Sequence, residues 1–309
     1  MRLPSRLSDF SLQRSWVTIG SFDGVHLGHQ FLIRKLVEGA HSAGCRAVII
    51  TFDPHPAVYF KRVPASNLLS SPEERESLIC SLGIDQVITL RFDAEVANLS
   101  AEEFVTLMKR HLGLEHLLAG VDFALGKNRT GTIAELTRIG LPLDIHVEVV
   151  PPFVLNGQIV SSSQIRQLLQ SEQVRAANTL LGRPYSLTGE VVHGEARGSR
   201  LGFPTANMQI PSERLLPSNG IYATWAIIDG RPYPSATNVG VRPTFDHSLP
   251  APRVEPYLMD TDGDFYGKEL RLEFIEFLRP EIKFPDATSL IKQINQDVEK
   301  AREVLEHDA

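Results

Sequence analysis

The stretch Gly20-Ser-Phe-Asp-Gly-Val-His-Leu-Gly-His29 decides the fold of the first half of this 309-residue chain. A strand-like apolar run at residues 16–19 precedes it, and apolar residues recur at helical spacing over residues 30–37. Gly20 and Gly28 let the backbone approach a ligand closely, because glycine has no Cβ. A strand, a glycine-bearing turn and a helix start in this order predict an anion site, since first-turn N–H groups and the helix dipole face the ligand.

Two histidines stand at the predicted start of this helix. His26 and His29 are three residues apart, so on a first helical turn they share one face and point where phosphates would lie. Imidazole N–H groups placed there can stabilise charge that develops on a phosphate. The spacing alone fits a helix start with two solvated histidines equally well. A zinc site is disfavoured, because Cys45 and Cys80 lack CxxC spacing and the chain has no His-Glu-x-x-His.

The composition is that of an ordinary globular protein rather than a dedicated nucleic-acid binder. Hydrophobic residues make up 42% of the chain, and 31 Lys plus Arg against 37 Asp plus Glu give a net charge of −6. A dedicated nucleic-acid binder would carry a basic stripe. The two cysteines are irregularly spaced, and neither a signal core nor a membrane-length apolar run occurs. We expect a cytoplasmic protein that binds no nucleic acid and no membrane, and no protein partner is implied.

The order of patterns along the chain predicts two halves of different class. Strand and helix signals alternate over the first half, as in a parallel α/β sheet with helices on both faces. Ligands of such sheets lie beyond the carboxyl ends of the strands, where residues 20–29, 53–56 and 120–126 fall. After Gly182-Arg-Pro184, short alternating runs favour an antiparallel barrel or sandwich, and residues 289–305 predict a final helix. The other expected elements are strands at 16–19, 47–52, 86–90, 116–120, 146–150, 187–192, 221–228, 235–239, 253–259 and 270–278, and helices from Ser71 and at 101–110, 162–169 and 172–181.

A second glycine-rich stretch, residues 194–207, lies in the second half. Backbone N–H groups of such a loop can wrap phosphates, although a plain hairpin explains the glycines as well. The candidate nucleotide-binding residues are Gly194, Arg197 and Gly198. Thr205 and Asn207 offer neutral oxygens, and nucleotide-bound Mg²⁺ needs only one or two protein ligands besides phosphates and water. No Gly-x-x-x-x-Gly-Lys-Ser/Thr occurs, so P-loop chemistry is excluded.

The two stretches occur together with further motifs in an order that resembles one family. The first-half motifs are similar to prokaryotic FAD synthetase modules: residues 20–29, Thr51-Phe-Asp-Pro-His-Pro56, Gly120-Val-Asp-Phe-Ala-Leu-Gly-Lys127 and Val160-Ser-Ser-Ser-Gln-Ile-Arg166. The second-half motifs are similar to riboflavin kinase: Leu201-Gly-Phe-Pro-Thr-Ala-Asn207, Gly220-Ile-Tyr-Ala223, Asn238-Val-Gly-Val-Arg-Pro-Thr-Phe245, Val254-Glu255 and Asp264-Phe-Tyr-Gly267. Almost the whole chain therefore resembles the bifunctional prokaryotic riboflavin kinase/FAD synthetase family.

The resemblance implies a fold and a pair of reactions. It implies an N-terminal α/β nucleotidylyltransferase domain with a Rossmann-like parallel sheet over residues 1–182. A mainly antiparallel β-barrel kinase domain with a terminal helix is expected over residues 183–309. Two steps that use ATP and Mg²⁺ are implied. The riboflavin 5′-hydroxyl attacks the γ-phosphate of ATP to give FMN, and the FMN phosphate then attacks the α-phosphorus of ATP to give FAD and pyrophosphate.

The resemblance also implies roles for particular residues. Glu255 matches the base of the kinase, and Thr205 and Asn207 match the positions that hold Mg²⁺ and ATP. His26 and His29 would stabilise the transition state of adenylyl transfer. The other expected nucleotide-binding residues are Gly20, Phe22, Asp23, Gly28, Ser161, Ser162 and Arg166, and the expected flavin-binding residues are His55, Asp122, Phe123, Gly126, Tyr266 and Gly267.

The chain departs from the family pattern at three places, and two other functions stay open. Ser163 stands where threonine is common, and Ala124-Leu125 replace a more usual Arg-Phe. Pro256 follows Glu255, which requires an edge strand or a bulge because proline cannot donate to a sheet. One alternative function is an adenylyltransferase whose barrel only binds flavin. The other is a flavin carrier without catalysis.

Overall fold

The protein is described here by a computed structural model, which covers residues 5–193, 203–241, 252–261 and 263–308. Contacts along the chain divide it into two compact units, Met1–Ser162 and Ser163–Ala309. This division places two helices that precede residue 182 with the second unit. The domain limit at residue 182 stays a prediction.

The first unit is built on a parallel sheet. Its strands are β1 (Ser15–Ile19), β2 (Arg46–Asp53), β3 (Gln86–Arg91), β4 (Leu114–Gly120), β5 (Ala124–Leu125), β6 (Gly131–Thr132), β7 (His146–Val150), β8 (Val154–Leu155) and β9 (Gln158–Ile159). Its helices are α1 (Leu27–Ser42), α2 (Pro56–Tyr59), α3 (Pro72–Cys80), α4 (Ala94–Asn98), α5 (Ala101–Leu112) and α6 (Ile133–Gly140), with short 3-10 turns at Leu7–Asp9, Ala65–Asn67, Lys127–Arg129 and Leu141–Leu143. Five strands pair in parallel in the order β3-β2-β1-β4-β7, which confirms the predicted α/β class.

Burial on both faces explains why β2 is an unbroken apolar run. Ile50 packs on one side of the sheet in a cluster with Phe104 of α5, while Ile49 packs on the other side with Ile33 of α1. Successive side chains of a strand point to opposite faces, so a sheet covered on both faces needs apolar residues at every position. The carboxyl ends of β1, β2 and β4 are thereby held in register at one edge of the sheet.

Caps set the ends of the helices that flank this sheet. Ser71 accepts from the Glu74 N–H at the start of α3, and Ser100 accepts from the Glu103 N–H at the start of α5, each within a capping box. Gly113 ends α5 in the left-handed conformation, with φ of 58°. The expected helix from Ser71 is therefore confirmed, together with its capping serine.

The second unit is a nearly closed antiparallel barrel. Its strands are β10 (Tyr185–Val192), β11 (Asn207–Gln209), β12 (Gly220–Ile228), β13 (Arg231–Val241), β14 (Pro252–Leu258) and β15 (Glu269–Arg279), and its helices are α7 (Ser162–Gln170), α8 (Val174–Leu181) and α9 (Ala287–Glu306). The strands pair in the order β11-β10-β15-β12-β13-β14. A bridge between Thr205 and Tyr257, with the Ala206 N–H donating to the Pro256 carbonyl at 2.9 Å, brings the two edges together. Of the two expected architectures, the barrel is therefore the observed one.

Helix α9 covers one outer face of the barrel. Ala223 and Ala236 on the sheet pack in one cluster with Ala301 and Leu305 of α9. The guanidinium of Arg279 at the end of β15 donates two hydrogen bonds to the carboxylate of Asp297 on α9, at 2.8 and 2.6 Å. Because both groups are largely buried, this pair fixes the helix at one position on the sheet.

The sequence analysis missed the eight-residue helix α6, which buries Leu136 and Ile139. The other elements that it missed are short. They include α2, α4, and the two-residue pairs β5–β6 and β8–β9, none of which is long enough to show a hydrophobic period. The three-residue strand β11 was missed for the same reason. Helix α8 begins at Val174 rather than at the expected residue 172.

Gly113 offers a direct test of the packing between the end of α5 and the segment that precedes β1. A Cβ at Gly113 would lie 2.0 Å from the backbone oxygen of Gln13, whereas a Cβ at Gly44, which has φ of +64°, would meet nothing within 4 Å. We expect Gly44→Ala to lower the free energy of unfolding by about 1–2 kcal/mol through left-handed strain alone. Gly113→Ala should cost about 1–3 kcal/mol more, because the backbone must move.

The measurement is urea denaturation in a Trp225→Phe background. Trp16 is then the remaining tryptophan and reports on the first unit, because the chain has two tryptophans. Equal losses in the two alanine variants would contradict the packing described for Gly113.

Candidate functional site

The turn after β1 adopts an unusual backbone. Phe22 and Val25 have φ of 49° and 40°, in the left-handed region that side chains other than glycine rarely enter, and Gly24 has φ of 79°. Left-handed residues of this kind cost on the order of 1–3 kcal/mol each and persist only where their surroundings hold them. Strained backbone therefore lies in the stretch that the sequence indicated as the anion site.

Asp23 supplies the groups that hold this turn. Its carboxylate accepts hydrogen bonds from the N–H of Leu69 at 3.0 Å and from the N–H of Ser70 at 3.1 Å, and Ser70 Oγ accepts from the Gly24 N–H at 3.0 Å. Asp23 is only 2% exposed and lies beneath the turn rather than along the wall of the cavity described below. Its observed contacts make it a positioning residue, and the expected nucleotide contact stays a prediction.

The two histidines form a stacked pair at the start of α1. Their ring centroids are 3.7 Å apart with 18° between the planes. His26 is the N-cap, and its Nδ1 accepts from the His29 N–H at 3.3 Å, so the proton of the neutral His26 ring is on Nε2. A Cβ on Gly28 would approach the His26 ring to 3.1 Å, which explains the glycine between the two histidines.

Burial keeps His29 neutral. Its Nδ1 is buried and has no hydrogen-bond partner in the part of the chain that the structure describes. Desolvation, followed by the nearby charges of His26 and Arg75, holds the pKa of His29 well below its usual value of 6.5. Two imidazoles in stacking contact cannot both carry a proton at low cost, because like charges repel. The two histidines therefore offer N–H donors without both rings carrying a permanent positive charge.

A cavity of about 680 Å³ opens beside the histidines at the carboxyl edge of the sheet. The predicted site residues that line it are Gly20, Phe22, His26, Gly28, His29, His55, Asp122, Phe123 and Gly126. Further aromatic rings on its wall are Phe52, Phe60, Phe92 and Phe104. Its size and apolar lining suit one flat heteroaromatic ligand with a polar extension.

Sequence reasoning missed three polar residues of this cavity. Arg62, Asn128 and Arg129 line the wall, and Arg129 donates from Nη2 to the Asp122 carbonyl at 2.9 Å. Asn128 and Arg129 both have left-handed φ, of 57° and 58°. Their neighbours Gly126 and Gly131 were a weak signal for a tight loop. The predicted edge of the sheet extended to Gly126, but no local pattern indicated that Asn128 and Arg129 also face the cavity.

The predicted serine cluster is tied to the same turn. Ser162 Oγ donates to the backbone carbonyl of Asp23 at 2.9 Å, which joins the end of the first unit to the residue that holds the turn. Ser161 precedes α7, and Arg166 lies on that helix. The phosphate-binding roles of Ser161, Ser162 and Arg166 stay predictions.

In the barrel, Glu255 lies beside the residues that were expected to hold a metal. Continuing the antiparallel register from the Thr205–Tyr257 bridge places Asn207 opposite Glu255, although about fifty residues separate them in sequence. The hydroxyl of Thr205 and the amide oxygen of Asn207 are not engaged by any described residue. Two neutral oxygens on one face suit Mg²⁺, which takes few protein ligands when phosphates supply the rest.

The surroundings of Glu255 fix its carboxylate. Arg253, two residues earlier on β14, donates from Nη2 to Glu255 Oε2. Glu255 is 7% exposed and is paired in register with Asn238 of β13. Pro256 lies on an edge strand, as expected. Its carbonyl points towards Ala206 and therefore away from β13. Its missing N–H would have pointed in the same direction, so proline costs no hydrogen bond to β13.

The remaining predicted residues of the barrel lie near the end of β10 or outside the described residues. The ring of Tyr266 stacks on His193 with centroids 3.8 Å apart, and the Gly267 N–H donates to the Val191 carbonyl at 2.9 Å. Their flavin-binding role stays a prediction. The predicted nucleotide-binding residues that lie outside the described part of the chain are Gly194, Arg197 and Gly198.

Fold and family matches together define the class: an enzyme built from an α/β unit and a β-barrel. The chain belongs to the bifunctional riboflavin kinase/FMN adenylyltransferase family. The FAD synthetase family model matches residues 9–164, and the riboflavin kinase family model matches residues 181–305. These matches confirm the expected family and the assignment of one activity to each half.

Named relatives cover nearly the whole chain. The Pseudomonas fluorescens bifunctional riboflavin kinase/FMN adenylyltransferase is 37% identical over 286 residues, which are 92% of this chain and 91% of the relative. The Bacillus subtilis protein of the same name is 33% identical over 304 residues, 96% of this chain and 95% of the relative. A solved structure named as a macrolide-efflux protein from Streptococcus pneumoniae is 29% identical, with a TM-score of 0.88 over 97% of this chain and 98% of that one. Within the described part of this chain, no helix has the length and apolar character to cross a bilayer.

The lowered pKa of His29 predicts a pH dependence of stability. The unfolded imidazole takes up a proton near pH 6.5, whereas the folded one does so only at lower pH, so the contribution of His29 is fully present above that pH and is lost as pH falls below it. Between about pH 6.5 and 5.5 the wild type should lose about 1 kcal/mol more than His29→Gln.

The measurement is urea denaturation at several pH values within this window. His307→Gln, a change at the exposed end of α9, serves as the control and should keep the wild-type slope. Identical slopes for His29→Gln and the wild type would show that His29 titrates normally.

Proposed function

We propose that this chain phosphorylates riboflavin to FMN in the barrel and adenylylates FMN to FAD in the α/β unit, each step using ATP. The observation that supports the proposal best is that each unit carries its own phosphate-directed side chains, the stacked His26–His29 pair in one and the Glu255–Asn207 neighbours in the other. A flavin carrier without catalysis would have no use for either set.

In the kinase step, Glu255 accepts the proton of the riboflavin 5′-hydroxyl as the oxygen attacks the γ-phosphorus and ADP leaves. General-base assistance of this kind contributes about 10²–10⁴-fold. Thr205 and Asn207 would hold Mg²⁺, which when bound offsets the negative charge of the phosphates. The contact from Arg253 leaves Glu255 Oε1 as the oxygen that faces substrate, because Oε2 is already engaged.

In the adenylyl-transfer step, a phosphate oxygen of FMN attacks the α-phosphorus of ATP and pyrophosphate leaves. His26 and His29 donate N–H groups to the oxygens on which charge develops, and such donors are worth about 10²–10³-fold each. His55, Asp122, Phe123 and Gly126 line the part of the wall that we assign to the flavin. Gly20, Phe22 and Gly28 form the part that we assign to ATP.

One assay separates this proposal from its alternatives. Full-length protein is incubated with riboflavin, ATP and Mg²⁺, and the flavin products are separated. FMN together with FAD supports the proposal, and FAD formed only from supplied FMN would make the barrel a flavin-binding module. If neither riboflavin nor FMN is converted, the protein is a flavin carrier without catalytic activity. The cytoplasmic location and the absence of nucleic-acid, membrane and protein partners stay predictions.

His29→Ala tests the adenylyl-transfer site. FAD formation from FMN should fall by roughly 10²–10³-fold, the usual loss for a transition-state donor, while FMN formation from riboflavin stays nearly intact. Both rates are measured by product separation on the same preparation. His146→Ala, at the opposite edge of the sheet, is the control and should leave both rates unchanged. Equal losses in both reactions of His29→Ala would point to misfolding or to one shared site.

Glu255→Gln tests the kinase site. Glutamine keeps the size and hydrogen-bonding capacity of the side chain but cannot take a proton, so riboflavin phosphorylation should fall by about 10²–10⁴-fold. Conversion of added FMN to FAD should survive in the same sample. Glu269→Gln, an exposed carboxylate on β15, provides the matched control. A wild-type rate in Glu255→Gln would remove this residue from the mechanism and leave positioning as the main source of catalysis.

A further inference from the structure

Three side chains from three strands form a row on the outer face of the barrel. Asn207, Glu255 and Asn238 come from β11, β14 and β13, and each is directly opposite the next in the antiparallel register. Directly opposed residues point to the same face, with Cβ atoms about 4.5–5.5 Å apart. Glu255 therefore has an amide neighbour on each side, of which only Asn207 was expected to have a role.

The amide oxygen of Asn238 meets no hydrogen-bond donor among the described residues. This atom, Oδ1, is buried. A buried acceptor without a donor is costly, and native structures rarely keep one unless a ligand or an ordered water satisfies it. The protein groups nearest in register do not serve, because Glu255 is itself an acceptor.

Arg253 engages one of the two oxygens of the Glu255 carboxylate. Arg253 donates from Nη2 to Glu255 Oε2, so Oε1 of Glu255 and Oδ1 of Asn238 are two neighbouring acceptors that point to the same face. Two adjacent acceptors fit a ligand that presents two adjacent donors. A polyol chain has this chemistry, since its successive carbons each carry a hydroxyl group.

We propose that Asn238 binds the ribityl chain of riboflavin, with Oδ1 accepting a hydrogen bond from a hydroxyl close to the 5′-hydroxyl that Glu255 activates. This inference rests on the proposed kinase function. It places the polyol on one side of Glu255 and the metal-bound nucleotide on the other, at Asn207. Asn238 then fixes which hydroxyl reaches the base and thereby discriminates among flavins by their side chain.

The first experiment is Asn238→Leu in the full-length chain. Leucine keeps the approximate volume and removes the acceptor. The KM for riboflavin should rise about tenfold, the loss expected for one buried hydrogen bond, while the KM for ATP and the Mg²⁺ dependence stay unchanged. The melting temperature should not fall, since an unsatisfied buried polar atom has been replaced by an apolar one. A change confined to the Mg²⁺ or ATP dependence would overturn the proposal in favour of a metal ligand.

The second experiment is a substrate cycle. The wild type and Asn238→Leu are each assayed with riboflavin and with its 2′-, 3′- and 4′-deoxy analogues. For the analogue that lacks the hydroxyl bound by Asn238, the wild type should already have lost about tenfold in kcat/KM, and the substitution should cause no further loss. The same fold loss with riboflavin and with all three analogues would overturn the proposal, because no coupling would then exist.

Controls separate a local effect from a damaged fold. Thr237→Val removes a hydroxyl from the adjacent residue of β13, whose side chain lies on the opposite face and bonds to Thr224 at 2.7 Å. It should alter stability and leave the KM for riboflavin unchanged. Adenylylation of added FMN reports on the other unit in every variant. If the wild type does not phosphorylate riboflavin, the proposed function itself is wrong. This result differs from the one that contradicts only the role of Asn238, in which an active enzyme shows the same loss with every flavin analogue.

Discussion

The hydrogen bonds of the Asp23 carboxylate are the interaction on which the proposed adenylyl-transfer site depends. The carboxylate satisfies two buried N–H groups, those of Leu69 and Ser70, and so ties the segment before α3 to the turn after β1. Buried carboxylates are stable only when such donors and nearby positive charge compensate for lost hydration, and here Arg75 supplies that charge. The left-handed conformations of Phe22 and Val25 are held by this anchor. Without it, His26 would not cap α1 with its ring against that of His29.

The barrel depends on a constraint of a different kind, the meeting of its two edges. The Thr205–Tyr257 bridge brings a motif from the start of the unit beside a strand near its middle. Pro256 is compatible with this closure because its carbonyl, rather than an N–H, makes the bond to Ala206. The arrangement that aligns Glu255 with Asn207 is thus a property of backbone pairing. Side-chain contacts add to this alignment, as in the hydrogen bond that Arg253 donates to Glu255 Oε2.

Local patterns explain what could be predicted from the sequence. The strand, turn and helix around residues 20–29 are formed by consecutive residues. Both the parallel sheet and the position of its ligand could therefore be predicted from local spacing. Arg62 and Arg129 lie in loops without a period, and only the folded chain brings them to one wall. The nucleotide contact expected for Asp23 stays a prediction, and its hydrogen bonds from the N–H groups of Leu69 and Ser70 could not be predicted from local sequence. Asn238 was part of a quoted motif, yet only strand register places it beside Glu255.

In the proposed adenylyl-transfer step, the stacking of His26 on His29 has a consequence for turnover. Two lysines in the same place would carry two permanent charges and would bind released pyrophosphate, an anion of high charge, at least as tightly as the reacting centre. An imidazole pair in which His29 is neutral donates N–H groups to the oxygens within hydrogen-bond reach, and it attracts a departed product less at long range than two fixed charges would. The hydrogen bonds from the two imidazoles are therefore strongest in the transition state, and pyrophosphate can diffuse away afterwards. The burial of the His29 ring is sufficient to avoid a second fixed charge, and no further residue is needed.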